Sequence, residues 1–171
     1  PIKEAGSPSF RLEDLTRSNH LTHDSAHDAL SDVRATIQLA RLIRDRQPRL
    51  YNWLFELRDK HKVVPLLNLQ DHTPVVHTSR MYPAETGCTT LVMPIAQDPR
   101  NNNSILVYDL RYDPSFFLDM TIDELSTQLF TPRTALPEYS IRLPIKAIRI
   151  NKCPAIAPKN VLNDENIKHI K

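Results

Sequence analysis

Apolar residues recur every three or four positions at Ala26, Leu30, Val33, Ile37 and Ala40, while Arg34, Gln38, Arg41 and Asp45 fall away from that row. The spacing predicts an amphipathic helix. The stretch 25–28 (SAHD) has the Ser/Thr-x-x-Asp/Glu pattern that satisfies free amides at a helix start, and Pro48 closes the helix. Residues 1–24 read as loop plus one short helix, RLEDLTRSNHL. A further helix is predicted over 48–62, PRLYNWLFELRDKHK, with Leu50, Trp53, Leu54 and Leu57 on one side. Proline suits its first turn, where an amide hydrogen has no helical partner.

After Lys62 the pattern changes. Short runs at 74–79 (PVVHTS), 89–96 (TTLVMPIA), 103–110 (NSILVYDL) and 141–151 (IRLPIKAIRIN) predict strands separated by proline and asparagine turns. Between the last two lies a helical stretch, 121–130 (TIDELSTQLF), capped by Thr121 or Asp119. The tail LNDENIKHIK is polar and reads as a linker or a helix start. There is no internal repeat and no low-complexity tract. The fold class expected is α+β: helices first, then a small mixed domain in which strands dominate.

Composition narrows this only slightly. The chain has 171 residues, enough for one domain or one and a half smaller ones, and 40% apolar with 25% charged residues is ordinary for a globular protein. A formal charge of +2 singles out no class of partner. Cys88 and Cys153 are too few for a disulfide scaffold and lack metal-site spacing, so buried or reduced thiols are expected. No apolar run approaches a membrane span and no signal peptide is visible, which points to the cytoplasm. Two glycines against 14 prolines make the loops depend on proline-fixed turns. The opening PIKEAGSPSF has neither an initiator methionine nor a strand-like run, and reads as a piece cut from a longer protein.

Two residues near the helix start carry candidate chemistry. His27 and Asp32 are five apart, about 140° around a helix, so they do not share a face. Asp32 heads the row Asp32, Thr36, Leu39, Ile43, in which a carboxylate needs neutralisation if the row is buried. Periodicity favours an arginine partner or partial exposure over a divalent metal. His27, by the same standard, is either a solvated histidine at a helix start or a functional base.

The stretches PSFRLEDLT, AHDALSDVRATIQLARLI, RQPRLYNWLFELRDKHK and RINKCPAIAP together resemble the bacterial exodeoxyribonuclease I family, DEDDh-type exonucleases that degrade single-stranded DNA from the 3′ end. The resemblance runs over nearly the whole chain. It implies that residues 1–47 are the C-terminal end of a ribonuclease-H-like exonuclease domain, 48–160 a Src-homology-3-like middle domain with helical insertions, and 161–171 a linker toward an absent helical domain. In that family four acids hold two magnesium ions and a histidine activates the attacking water. His27 matches the histidine and Asp32 the last acid of the HDA-x-x-D pattern. Two metal ions clamp the attacking and leaving oxygens of an in-line displacement, and a base titrating near neutrality can take the proton of water. The family's other acids have no counterpart here, so 1–171 alone is expected to be inactive.

The resemblance also implies DNA contacts at Lys60, Asn103, Phe130, Lys146 and Asn151, as a processive nuclease needs cations on phosphates and rings under bases. Phe130 stands where an aromatic hydroxyl is usual. Without the resemblance each lysine is a solvated charge, and Phe130 anchors its helix beside Leu125 and Leu129. In strand 141–151, alternation puts Lys146, Ile148 and Ile150 on one side and Arg149 with Asn151 on the other, unless the strand ends near Ile150. Trp53, the single tryptophan, packs its helix on the sheet by default. It also matches an aromatic where such nucleases dock the C-terminal tail of single-stranded-DNA-binding protein. Near that site Pro158 and Asn163 stand where polar or basic residues are expected. A monomer is expected. The competing readings are a non-catalytic module for single-stranded DNA or its binding protein, and a structural domain with polar surface rows.

Overall fold

A computed structural model describes residues 8–23, 28–135, 143–163 and 165. Its first part is helical: α1 (Leu12–Ser18), α2 (Ala29–Arg46), α3 (Pro48–Glu56) and α4 (Lys60–Val63), the last running into a 3-10 turn over Val64–Leu67. Asp28, expected to complete a capping box, is itself the cap of α2. Its backbone is extended and its carboxylate accepts from the Ser31 amide at 2.9 Å, so the helix begins at Ala29. The helix expected over 48–62 is broken. Asp59 leaves the helical conformation and its side chain accepts from the His61 amide at 2.9 Å, capping a new turn.

The expected inner face of α2 looks outward among the described residues. Leu30 is 57% exposed, Val33 55% and Ile37 45%, whereas Ala35 is fully buried. The inward side carries Ala35 with half-buried Leu39 and Leu42, because α1 and α3 pack against that side. Periodicity defines a helix's apolar stripe, but the neighbours decide which stripe is covered.

Five strands follow: β1 (Val75–Thr78), β2 (Thr89–Gln97), β3 (Ser104–Asp109), β4 (Ile145–Arg149) and β5 (Ala155–Pro158). They form one sheet in the order β4-β3-β2-β1-β5, every neighbour antiparallel. Val75 lies opposite Val92 and Pro158, and Val92 opposite Asp109. Pro94 sits inside β2 without an amide hydrogen to give. The register with β3 shifts between Pro94 and Ala96, and β1 has ended by then, so no ladder bond is missed. Between β3 and β4 come α5 (Ser115–Leu118) and α6 (Ile122–Phe130).

Two apolar clusters hold this together. Leu57, Val63 and Leu67 from the helical part meet Val75, Val92, Val107, Ile148 and Ile156 from the sheet, with Trp53 and Leu54 packed on them. Tyr108, Phe117 and Leu143 form the second, with Leu125 and Leu129 of α6 against it. Among the described residues no helix is long and apolar enough to cross a membrane. Cys88 is half-buried and Cys153 exposed, both free thiols.

Candidate functional site

Asp32 lies in the first turn of α2, on the side facing α1, with its side chain 42% exposed. The partial exposure that periodicity allowed is what is seen, and the side-chain partner among the described residues is a histidine and not an arginine. His23 Nε2 lies 2.8 Å from Asp32 Oδ1, and the His23 side chain is only 6% exposed. A carboxylate offers only lone pairs at this distance, so the proton is on Nε2 and His23 donates. The other ring nitrogen is 3.3 Å from the Thr16 hydroxyl of α1. Oδ2 of Asp32 takes no bond from any described residue. No signal in the 3.6-residue pattern could have identified His23, since it precedes the helix in a connecting loop. His27 lies outside the described residues.

A second group of polar residues collects at the β3–β4 side of the sheet. Asp109, at the end of β3, is 2% exposed and holds Arg111 through two bonds, 3.0 Å from Nε and 2.6 Å from Nη2. Thr90 also donates to it, at 3.2 Å. That bonding to Asp109, above all, holds the Arg111 guanidinium above its ordinary value. Lys146 of β4 lays its ammonium 3.7 Å from the centre of the Tyr82 ring and donates to the Met81 carbonyl at 3.0 Å. Burial pulls the Lys146 ammonium below its usual value, against the pull of Asp109. The Tyr82 hydroxyl lies 2.8 Å from His77 Nδ1, with the two rings edge to face. Burial, with Lys146 behind it, lowers His77 to about 4, so it is neutral at pH 7. Burial also raises the Tyr82 phenol. Met81, Tyr82, Arg111, Tyr112 and Lys146 border a recess of about 660 Å³. Only the family resemblance singled out Lys146, which is otherwise expected to be a solvated charge. Its neighbours were not identifiable from the sequence, because Tyr82 comes from a turn far along the chain.

The other candidate DNA contacts fall in three places. Asn103 and Asn151 come together at the far end of the β3–β4 pair, where the Ile150 amide donates to the Asn103 carbonyl at 2.9 Å. β4 ends at Arg149, so the exception allowed for near Ile150 applies, yet burial still alternates past the strand end: Ile148 and Ile150 are buried, Arg149 and Asn151 exposed. Lys60 is exposed at the start of α4. Phe130 ends α6, with its side chain outside what is described. Trp53 is half-buried on α3 and donates from Nε1 to the Ile156 carbonyl of β5 at 2.8 Å. Pro158, beside the expected docking position, is the last residue of β5.

Residues 58–171 match the family model described as the exonuclease I SH3-like domain. Exodeoxyribonuclease I of Escherichia coli is 43% identical over 166 residues, an alignment covering 97% of this chain and 35% of that protein. The chain therefore spans about a third of the curated relatives' length. Among solved structures, E. coli exonuclease I in complex with a dA16 oligonucleotide superposes with a TM-score of 0.90 at 42% identity, covering 99% of this chain and 36% of that one. An ExoI/SSB-Ct complex gives 0.88 at 40% identity, with the same coverage of each chain. With a matching family model over most of its length and that fold along nearly all of it, the chain belongs to the exonuclease I family and carries its SH3-like domain.

Proposed function

We propose that this chain is a segment of a magnesium-dependent exodeoxyribonuclease that degrades single-stranded DNA 3′ to 5′, releasing 5′-mononucleotides in DNA repair and recombination in the cytoplasm. The observation that carries this reading is the likeness, at a TM-score of 0.90 and 42% identity, to an exonuclease I bound to an oligonucleotide. In this reading residues 1–47 end the exonuclease domain, 48–160 form the middle domain, and 161–171 lead toward a helical domain.

Asp32 fits the role of one metal ligand among several: it is partly exposed, fixed through one oxygen, and offers the other. It does not make a site alone, and among the described residues no group of three or more His, Cys, Asp or Glu gathers to hold an ion. Bound magnesium supplies charge stabilisation at the phosphoryl oxygens. His27 takes a proton from the attacking water. The middle domain contributes cations and donors along the strand: Lys60, Lys146, Asn103 and Asn151, with Phe130 offering a ring. Around the recess at Tyr82, two cations stand against one carboxylate, a balance suited to phosphate oxygens. Trp53 is the proposed docking point for the C-terminal tail of single-stranded-DNA-binding protein. The protein is proposed to act as a monomer.

The test is Asp32→Ala in the full-length protein. Turnover of a single-stranded oligonucleotide is expected to fall by roughly 100-fold or more, while DNA affinity stays close to wild type and keeps its steep decline with salt. Unchanged turnover with salt-dependent binding would instead mean that this segment binds single-stranded DNA without contributing a catalytic group, the alternative reading of a non-catalytic module, for which the net-positive recess is the favouring observation. Binding that ignores salt would leave only a structural domain.

A further inference from the structure

Between α1 and α2 a buried imidazole bridges a buried hydroxyl and a half-exposed carboxylate. Thr16 is 1% exposed, and its Oγ1 lies 3.0 Å from the carbonyls of both Leu12 and Glu13, so its oxygen is fixed whichever acceptor takes its proton. His23 Nδ1 stands 3.3 Å from that oxygen, and Nε2 stands 2.8 Å from Asp32 Oδ1. With Nε2 donating to Asp32, Nδ1 is the acceptor and is bonded when the Thr16 hydroxyl turns toward it; rotating the ring breaks the Asp32 bond in either case. The carboxylate it holds is pinned in turn: one oxygen is occupied, and Oδ2 is left without a bond from the described residues. A free aspartate samples several rotamers and must lose that freedom when it takes a ligand. Asp32 has already lost much of it.

We infer that His23 is the positioning residue of Asp32, presenting Oδ2 to the metal. The inference rests on the reading of Asp32 as a metal ligand. Carboxylates that ligate metals are themselves hydrogen-bonded, and removing such outer partners costs roughly 10- to 100-fold in metal affinity. His23 supplies that partner from the loop after α1, so the α1–α2 packing sets the aim of the carboxylate.

Two substitutions separate the nitrogens. The amide of His23→Gln stands where Nε2 stands and keeps the bond to Asp32. The amide of His23→Asn stands where Nδ1 stands, keeping the Thr16 side and losing Asp32. In the full-length protein without DNA, Mn²⁺ binding is read by electron paramagnetic resonance, with Asp32→Asn as the reference and thermal unfolding recorded for all. His23→Asn is expected to weaken Mn²⁺ binding by roughly 10- to 100-fold, with His23→Gln staying near wild type. Equal effects of the two variants, or no effect of either, would overturn the inference while a weakened Asp32→Asn leaves the ligand reading standing. Unfolding of either His23 variant would overturn it too, by assigning His23 to packing. If Asp32→Asn binds Mn²⁺ like wild type, the ligand reading itself has failed.

Discussion

His77 shows what burial does to a single residue. It is 8% exposed in β1, where its Nδ1 meets the Tyr82 hydroxyl. With the proton on Nε2, the phenol donates to Nδ1, and the pair is satisfied only while the imidazole is neutral. Burial first, and the neighbouring Lys146 second, depress His77 from 6.5 to about 4, while Asp109 pulls the other way. The unfolded chain therefore binds a proton between pH 6.5 and 4 that the folded chain refuses, so His77 removes stability as pH falls through that window. The loss at its end is about 3 kcal/mol. Urea unfolding at pH 7 and pH 4 checks this: wild type should lose about that much more than His77→Asn, whose amide has nothing to titrate. Equal losses would remove His77 from the account. Nothing in VVHT announces a buried histidine, since the four letters suit a surface strand equally well.

At the level of elements, local chemistry was readable where the side chain and its partner lie within one turn. Thr121 accepts from the Glu124 amide at 3.3 Å, and Glu124 accepts from the Thr121 amide at 2.8 Å, a complete capping box on α6. Thr121→Ala is expected to destabilise the protein by about 1 kcal/mol, and Thr121→Ser to restore most of it, both read from urea midpoints. The same logic placed a helix from Ser25 to before Pro48, and the structure shows it over Ala29–Arg46 with Asp28 as its cap. It did not find the break at Asp59, because the apolar row continues through Leu57 and hides the interruption. Nor did it find β5, a four-residue strand ending in proline that has little strand character of its own. β5 exists because β1 offers it a ladder, with Val76 opposite Ala157 and Thr78 opposite Ala155.

For the molecule as a whole, the question is what ties the helical part to the sheet. Trp53 does so at one point, donating from α3 to the Ile156 carbonyl on edge strand β5 while its ring packs on the main core. Cys153 adds a second tie, its thiol donating to the Leu54 carbonyl at 3.3 Å. Trp53→Phe keeps most of the apolar contact and removes the donor, leaving one carbonyl to find water. The expected cost is about 1 kcal/mol, with amide exchange rising in residues 155–158 more than in β2 or β3. Uniform exchange across the sheet would show that the indole bond does not hold the edge. The default reading of Trp53 as packing between helix and sheet is what the structure shows; its proposed docking role would use the ring's remaining exposed part.

What the sequence determined by itself is whatever depends on neighbours a few residues away: the helical and strand periods, the caps, the α+β order and the stretches that resemble a family. It also marked Asp32 as a carboxylate that needs a partner. Which partner it has, which stripe of α2 is covered, and which residues surround Lys146 were decided by tertiary structure alone. His23 approaches Asp32 from a loop, α1 and α3 cover the side of α2 that the apolar row does not occupy, and Tyr82 reaches Lys146 from 64 positions away. Periodicity encodes directions around one element's axis. Contacts of this kind depend on how separate elements pack, and no local repeat records that.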